Sequence, residues 1–131
     1  MSVLRPPGWP KPRGYANGIA AQGRCIFVAG QIGWNAQSEF ESDDLVDQAR
    51  QALHNVVAVL REGGAQPRHL VRLTWYVTDL AAYRSNLSRL GNAYRSVIGA
   101  HYPAMTLVEV KGLLEQRARI EIEATAVVPD A

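Results

Sequence analysis

The chain has 131 residues, 47% of them hydrophobic, which is the size of one domain with enough apolar material for a real core. Its 14 basic and 12 acidic side chains leave a net charge of +2, and they are scattered, which argues against a surface that tracks nucleic-acid phosphates. The single cysteine, Cys25, excludes an internal disulfide and fits a reducing compartment, and no apolar stretch approaches the length of a membrane helix.

The first residues, Met1 to Pro7, lack the apolar core of a signal peptide, so a soluble cytoplasmic protein with neither membrane nor nucleic-acid partner is expected. Residues 1–13 hold four of the seven prolines and read as an extended arm without regular structure, followed by one domain over 14–131. Two short apolar runs, about Tyr15–Ala21 and Arg24–Ala29, flank Gln22-Gly23, the composition of a tight hairpin. Ser42-Asp43-Asp44 then offers oxygens to the free N–H groups of a starting helix. Leu45, Ala49, Ala52, Leu53, Val56 and Leu60 fall on one face of that helix, which should stop at Gly63-Gly64.

Val71–Thr78 alternates as a strand does, with Val71, Leu73, Trp75 and Val77 against Arg72, Thr74, Tyr76 and Thr78. Asp79 can cap a second helix striped by Leu80, Tyr83, Leu87, Leu90, Tyr94 and Ile98 and ended by Gly99. Two strands close the chain, about Ala104–Val110 and Arg117–Val128. The order β-β-α-β-α-β-β, with two helices that each own one apolar stripe, implies an α+β fold in which both helices cover one face of a mixed sheet. On the last strand Ala118, Ile120, Ile122, Ala124 and Ala126 should face the helices, leaving Arg117, Arg119, Glu121, Glu123 and Thr125 on the other side. A sheet face that mixes large apolar groups with charges suits burial against another copy of the chain, so a homo-oligomer is expected.

Several stretches together resemble the RidA (YjgF-type) family of enamine/imine deaminases. They are Phe27-Val28-Ala29-Gly30-Gln31-Ile32, Gln48 to Val56, Tyr76-Val77-Thr78-Asp79-Leu80, and Pro103-Ala104 followed by Val108-Glu109-Val110 and Ile120-Glu121-Ile122-Glu123-Ala124. The resemblance runs from Gly14-Tyr15 to Val128 and implies a chorismate-mutase-like fold. It also implies a homotrimer with small-molecule clefts at the subunit boundaries, and hydrolysis of enamines or imines to ketones and ammonia. In active members an arginine directly after the Pro-Ala pair clamps the substrate carboxylate; here that position is Met105, and a thioether cannot make the contact. Two residues on, a frequent cysteine is Leu107, and a helix asparagine falls at or beside Leu87, next to Asn86. The standard 2-imino acid is therefore not the expected substrate, and an unsaturated amino acid of the aminomuconate kind is one candidate.

The family's water-holding glutamate matches Glu121, the candidate general base, which could instead pair with Arg119 or Arg72. The substrate-binding candidates are Tyr15, Gly30, Met105, Thr106 and Leu107, with Trp34 and Tyr102 making the wall more apolar. Met105 and Glu121 are expected to meet in one crevice between identical subunits. His101 could replace the missing cation or serve only as a loop residue, and Cys25 reads as a small buried residue. His54 and His69 have no partners at metal spacing, and no phosphate loop, Ser-His-Asp pattern or zinc signature occurs, so neither metal nor cofactor is expected. A non-catalytic trimer that holds a small apolar or aromatic ligand in the same cleft is the alternative. The ribonuclease activity also attached to the family finds little support in a nearly balanced charge without an acid–base histidine pair.

Overall fold

The computed structural model describes residues 1–130. Its strands are β1 (Ser2–Leu4), β2 (Gly18–Ala20), β3 (Arg24–Ile32), β4 (Leu70–Val77), β5 (Ala104–Glu109) and β6 (Ile120–Val128). Its α-helices are α1 (Leu45–Glu62), α2 (Leu80–Arg84) and α3 (Leu87–Val97), and a single 3-10 turn covers Pro67–His69. The main sheet runs β3-β6-β4-β5; β4 and β5 are parallel and the other pairs antiparallel, with α2 and α3 forming the crossover.

Helix α1 starts and stops where its ends are satisfied. The Asp44 carboxylate accepts from the Asp47 N–H at 3.0 Å. At the other end Gly64 takes a φ of +76°, its N–H bonds the Arg61 carbonyl, and the Ala65 N–H bonds Leu60 at 2.8 Å, a Schellman closure. The stripe between these ends packs on Leu70, Leu73, Ile120 and Ile122, all fully buried. Gln48 is the buried polar group of this interface. Its amide donates to the carbonyls of Ser42 and Arg117 and accepts from the Arg119 N–H at 2.8 Å, so every end of it is satisfied.

Four sequence expectations need correction. Ser2–Leu4 of the arm is a strand, and β2 pairs with it rather than forming a hairpin with β3. Strand β3 instead lies along β6, where a β-carbon on Gly23 would stand 2.1 Å from the Val128 carbonyl oxygen. The second helix is also two helices. At the break the Ser85 hydroxyl and the Asn86 amide take the carbonyls of Ala81 and Ala82, and Asn86 leaves helical geometry with φ −125° and ψ 24°. Finally Cys25 is exposed, because it shares the uncovered face with Phe27 while Ile26 and Val28 turn toward the helices.

The helix-free face carries Arg72, Thr74 and Tyr76 of β4 and Glu121, Glu123 and Thr125 of β6, with Phe27 77% exposed beside them. The Tyr76 hydroxyl donates to Glu123 at 2.7 Å, and that bond raises the phenol above its usual range. Between Val28 and Gln31 the register against β6 slips by one residue, a β-bulge that brings Gly30 over Glu121.

Candidate functional site

Strand β5 is the sheet edge, and its helix-facing side chains are not fully covered. Met105 sits opposite Leu73 and Leu107 opposite Trp75, so both point to the helix side, where they line a cleft of about 570 Å³. The Ala16 N–H bonds the Pro103 carbonyl at 3.0 Å, which pins the preceding residue, Tyr15, at the mouth. Helix α3 closes the opposite side with Leu87, Leu90 and Tyr94.

The walls are aromatic. Tyr94 and Tyr102 stack at 5.4 Å with 14° between their planes, and Trp75 lies 6.4 Å from both Tyr83 and Tyr94. The Tyr94 hydroxyl donates to the His101 carbonyl at 2.6 Å, holding the strand-leading loop. Burial raises the phenols of both Tyr83 and Tyr94 above the ordinary tyrosine value, so the walls stay neutral. The Trp75 indole N–H is buried without a hydrogen-bond partner among the described residues. Among the described residues no aspartate or glutamate lines this cleft, and Arg13 and Arg95 lie at its edge.

Tyr15, Met105, Leu107 and Tyr102 line this one cleft, and Leu87 joins them from the helix. Glu121, Gly30 and Thr106 do not. Met105 is in register with Leu73 and so with Ala124, whereas Glu121 is in register with Tyr76 and Val108. Met105 and Val108 are an odd number of residues apart on one strand, so Met105 and Glu121 occupy opposite faces of the sheet within one chain. The crevice joining them is not formed by a single copy.

Glu121 is half-buried against the Gly30 backbone and makes no hydrogen bond or ion pair among the described residues. Its foreseen partners are elsewhere: Arg119 reaches Asp79 at 3.8 Å and the Asp43 carbonyl at 3.2 Å. Thr106 is exposed in the row of Thr74 and Glu123. Trp34 packs at 5.8 Å on Phe40, away from the cleft. His101 spends its Nε2 on the Leu70 carbonyl at 2.8 Å and faces a neighbouring hollow, so it does not replace a cation beside Met105. His69 is buried in the 3-10 turn, and the described residues contain no group of three or more His, Cys, Asp or Glu side chains converging as metal ligands would. Among the described residues no helix is long and apolar enough to cross a membrane.

Sequence reasoning missed Tyr83, Tyr94, Trp75, Arg13 and Arg95 as cleft residues. The signal lay in the second helix stripe, where two tyrosines with polar tips occupy positions that pure core packing would fill with aliphatic side chains.

Residues 10–128 match the family described as Endoribonuclease L-PSP. The chain belongs to the RidA (YjgF-type) family. This RidA-family chain is 34% identical to YyfB of Yersinia pestis, a structure of the conserved Rid protein family, with a TM-score of 0.85 over 97% of this chain and 98% of that one. A RutC family protein of Pyrococcus horikoshii is 34% identical over 119 residues, 89% of this chain and 90% of its own. A human relative named 2-iminobutanoate/2-iminopropanoate deaminase is 27% identical over 97% of this chain and 88% of its own. The family thus includes proteins named for imine deamination, and its fold carries the aromatic cleft of this member along β5.

Proposed function

We propose that this chain hydrolyses an enamine or imine to a carbonyl compound and ammonia, in a cleft shared between copies of a homotrimer. Glu121 and Gly30 come from one copy, and the Tyr15–Met105–Leu107 wall from its neighbour. The supporting observation is the state of Glu121: a half-exposed carboxylate, without a partner among the described residues, held against a bare backbone. A carboxylate in that state can take a proton from water as the oxygen adds to the imine carbon. The resulting carbinolamine then expels ammonia and leaves the carbonyl. Such general-base assistance is typically worth about 10²–10⁴-fold. Met105 offers no charge to a substrate, so the substrate is one that does not need a β5 guanidinium.

Ammonia release above the spontaneous rate from a panel of enamines and imines tests this reading. Glu121→Gln is expected to lose about 10²–10⁴-fold of the acceleration. A parent that accelerates none of them, or a variant as fast as the parent, removes the support.

One observation favours a second reading. Because Glu121 and the aromatic cleft lie on opposite faces of one chain, the cleft can hold a small apolar ligand without any water chemistry. Ligand-dependent thermal stabilisation that survives Glu121→Gln unchanged, with no turnover, selects that reading.

A further inference from the structure

We infer that the N-terminal ribbon and the segment before β5 enclose a second ligand site, which takes a small soluble phosphate ester through Arg5, Lys11 and Asn17. This site lies outside the cleft beside Met105 and does not depend on the deaminase reading.

Charge points there first. Residues 1–20 carry Arg5, Lys11 and Arg13 and no aspartate or glutamate, so this stretch alone holds more positive charge than the chain's net +2. The ion pairs among the described residues use Arg50, Arg89, Arg117 and Arg119, so none of the three arm cations has an acidic partner there.

Strand register then gathers the groups, independently of their charge. Val3 pairs with Ile19 across β1 and β2, and continuing that register sets Arg5 opposite Asn17. Parity puts all four on one face of the ribbon, and all four line one hollow of about 680 Å³. Ala100, His101 and Tyr102 line it from the segment before β5, and Lys11 and Pro12 from the loop joining β1 to β2. Tyr15 and Tyr102 line both this hollow and the cleft beside Met105, so they form the wall between the two. Among the described residues no acidic side chain lines the hollow.

The cations are held in advance of any ligand. Pro6, Pro7, Pro10 and Pro12 fix φ through the loop, and the Trp9 N–H bonds the Pro6 carbonyl at 3.2 Å. The strand pairing ties one end of the loop, and the Ala16 N–H on the Pro103 carbonyl ties the other. Less ordering therefore remains for binding to impose. A two-pronged guanidinium, a compact ammonium and an amide N–H suit the two charges of a phosphate monoester, where a carboxylate would leave one cation unmatched. Val3, Ile19 and Pro12 beside them suit an apolar body on the ester.

Calorimetric titration of the whole chain with phenyl phosphate tests this, with inorganic phosphate, benzoate and phenol as comparisons. Phenyl phosphate is expected to bind tightest, inorganic phosphate and benzoate more weakly, and phenol not at all. Arg5→Gln should weaken phenyl phosphate by about tenfold, the loss that follows removal of a bond to a charged group, and Lys11→Gln should weaken it in the same direction. Both side chains are exposed, so the variants should melt with the parent. Met105→Ala, in the neighbouring cleft, should leave the affinity for phenyl phosphate unchanged.

No binding of phenyl phosphate, benzoate binding as tightly, or an affinity untouched by Arg5→Gln and Lys11→Gln overturns the inference. An affinity lost in Met105→Ala and kept in Arg5→Gln also overturns it, because the phosphate would then sit in the cleft. Phosphatidylcholine vesicles doped with phosphatidic acid should not retain the chain. Retention that Arg5→Gln abolishes would assign the phosphate to a lipid headgroup and overturn the soluble ester. The expected pattern in a chain that turns over no imine keeps this site while the deaminase reading falls, and imine turnover by a chain that ignores phenyl phosphate does the reverse.

Discussion

The backbone of Gly30 and the carboxyl group of Glu121 are in direct contact: a β-carbon at residue 30 would stand 2.7 Å from the Glu121 carboxyl carbon and 2.8 Å from one of its oxygens. Glycine is required here for close approach rather than for an unusual φ, because Gly30 is not among the residues with positive φ. The β-bulge that follows Val28 makes the approach possible.

Gly30→Ala therefore pushes aside the end of a flexible side chain and little else. Its stability cost should be small, about 1 kcal/mol or less, as for substitutions outside the core. Ammonia release on the best imine should nevertheless fall with Glu121 displaced, toward the level of Glu121→Gln. An unchanged rate with an unchanged melting temperature would mean that the carboxylate's position has no part in turnover.

Gly33→Ala has the opposite profile. A β-carbon there would lie 2.5 Å from the Gln48 β-carbon and 2.6 Å from its α-carbon, inside the body of α1. Helix backbone cannot yield as a carboxylate can, and Gln48 also ties α1 to the segment leading into β6. Overpacking of this kind costs about 1–3 kcal/mol. Urea unfolding should show a lower midpoint with an unchanged slope.

Helix α1 and the face assignment of β6 were legible because they depend on period and parity: the α1 stripe, the Asp44 cap and the Gly63-Gly64 stop need only local rules. Strand pairing was not legible, since nothing within Tyr15–Ala29 says that β2 will choose β1 and β3 will choose β6. The cleft was half legible for the same reason. Tyr15, Met105 and Leu107 come from the resemblance, but putting Glu121 beside Met105 required the β4–β5 and β4–β6 registers, which only the folded sheet supplies. Trp75 was read as strand alternation and Arg95 was not singled out, because their shared cavity exists only after α3 docks.

The uncovered sheet face bears on assembly. Phe27 is 77% exposed and Val108 42%, among Arg72, Glu121 and Glu123, a mixture suited to an interface core with paired charges. Light scattering on a sizing column is expected to give a trimer, and Phe27→Lys a smaller species with the same helical content. A parent chain that runs as a monomer would remove the shared-cleft reading together with this one.

Acid should weaken the fold through His69. The ring is buried, its Nδ1 accepts the Gln66 N–H at 3.0 Å, and the 3-10 turn depends on that bond. Burial lowers the His69 pKa below 6.5, and the nearby Arg68 and His101 lower it further. Because the folded value is depressed, the unfolded chain binds this proton first, and stability rises with pH across the window between the two values. The contribution is complete above the unfolded value and is lost as pH falls through the folded one. Urea midpoints measured from pH 7.5 down to about pH 5 should therefore decline below about 6.5, the ordinary histidine pKa. His69→Asn keeps an acceptor for the Gln66 N–H without a titrating ring, so its decline should be shallower over the same range. A parallel decline in parent and variant would assign the acid sensitivity to other groups, of which the Asp44 carboxylate, held below its usual range by its hydrogen bonds to Arg89, acts only at lower pH.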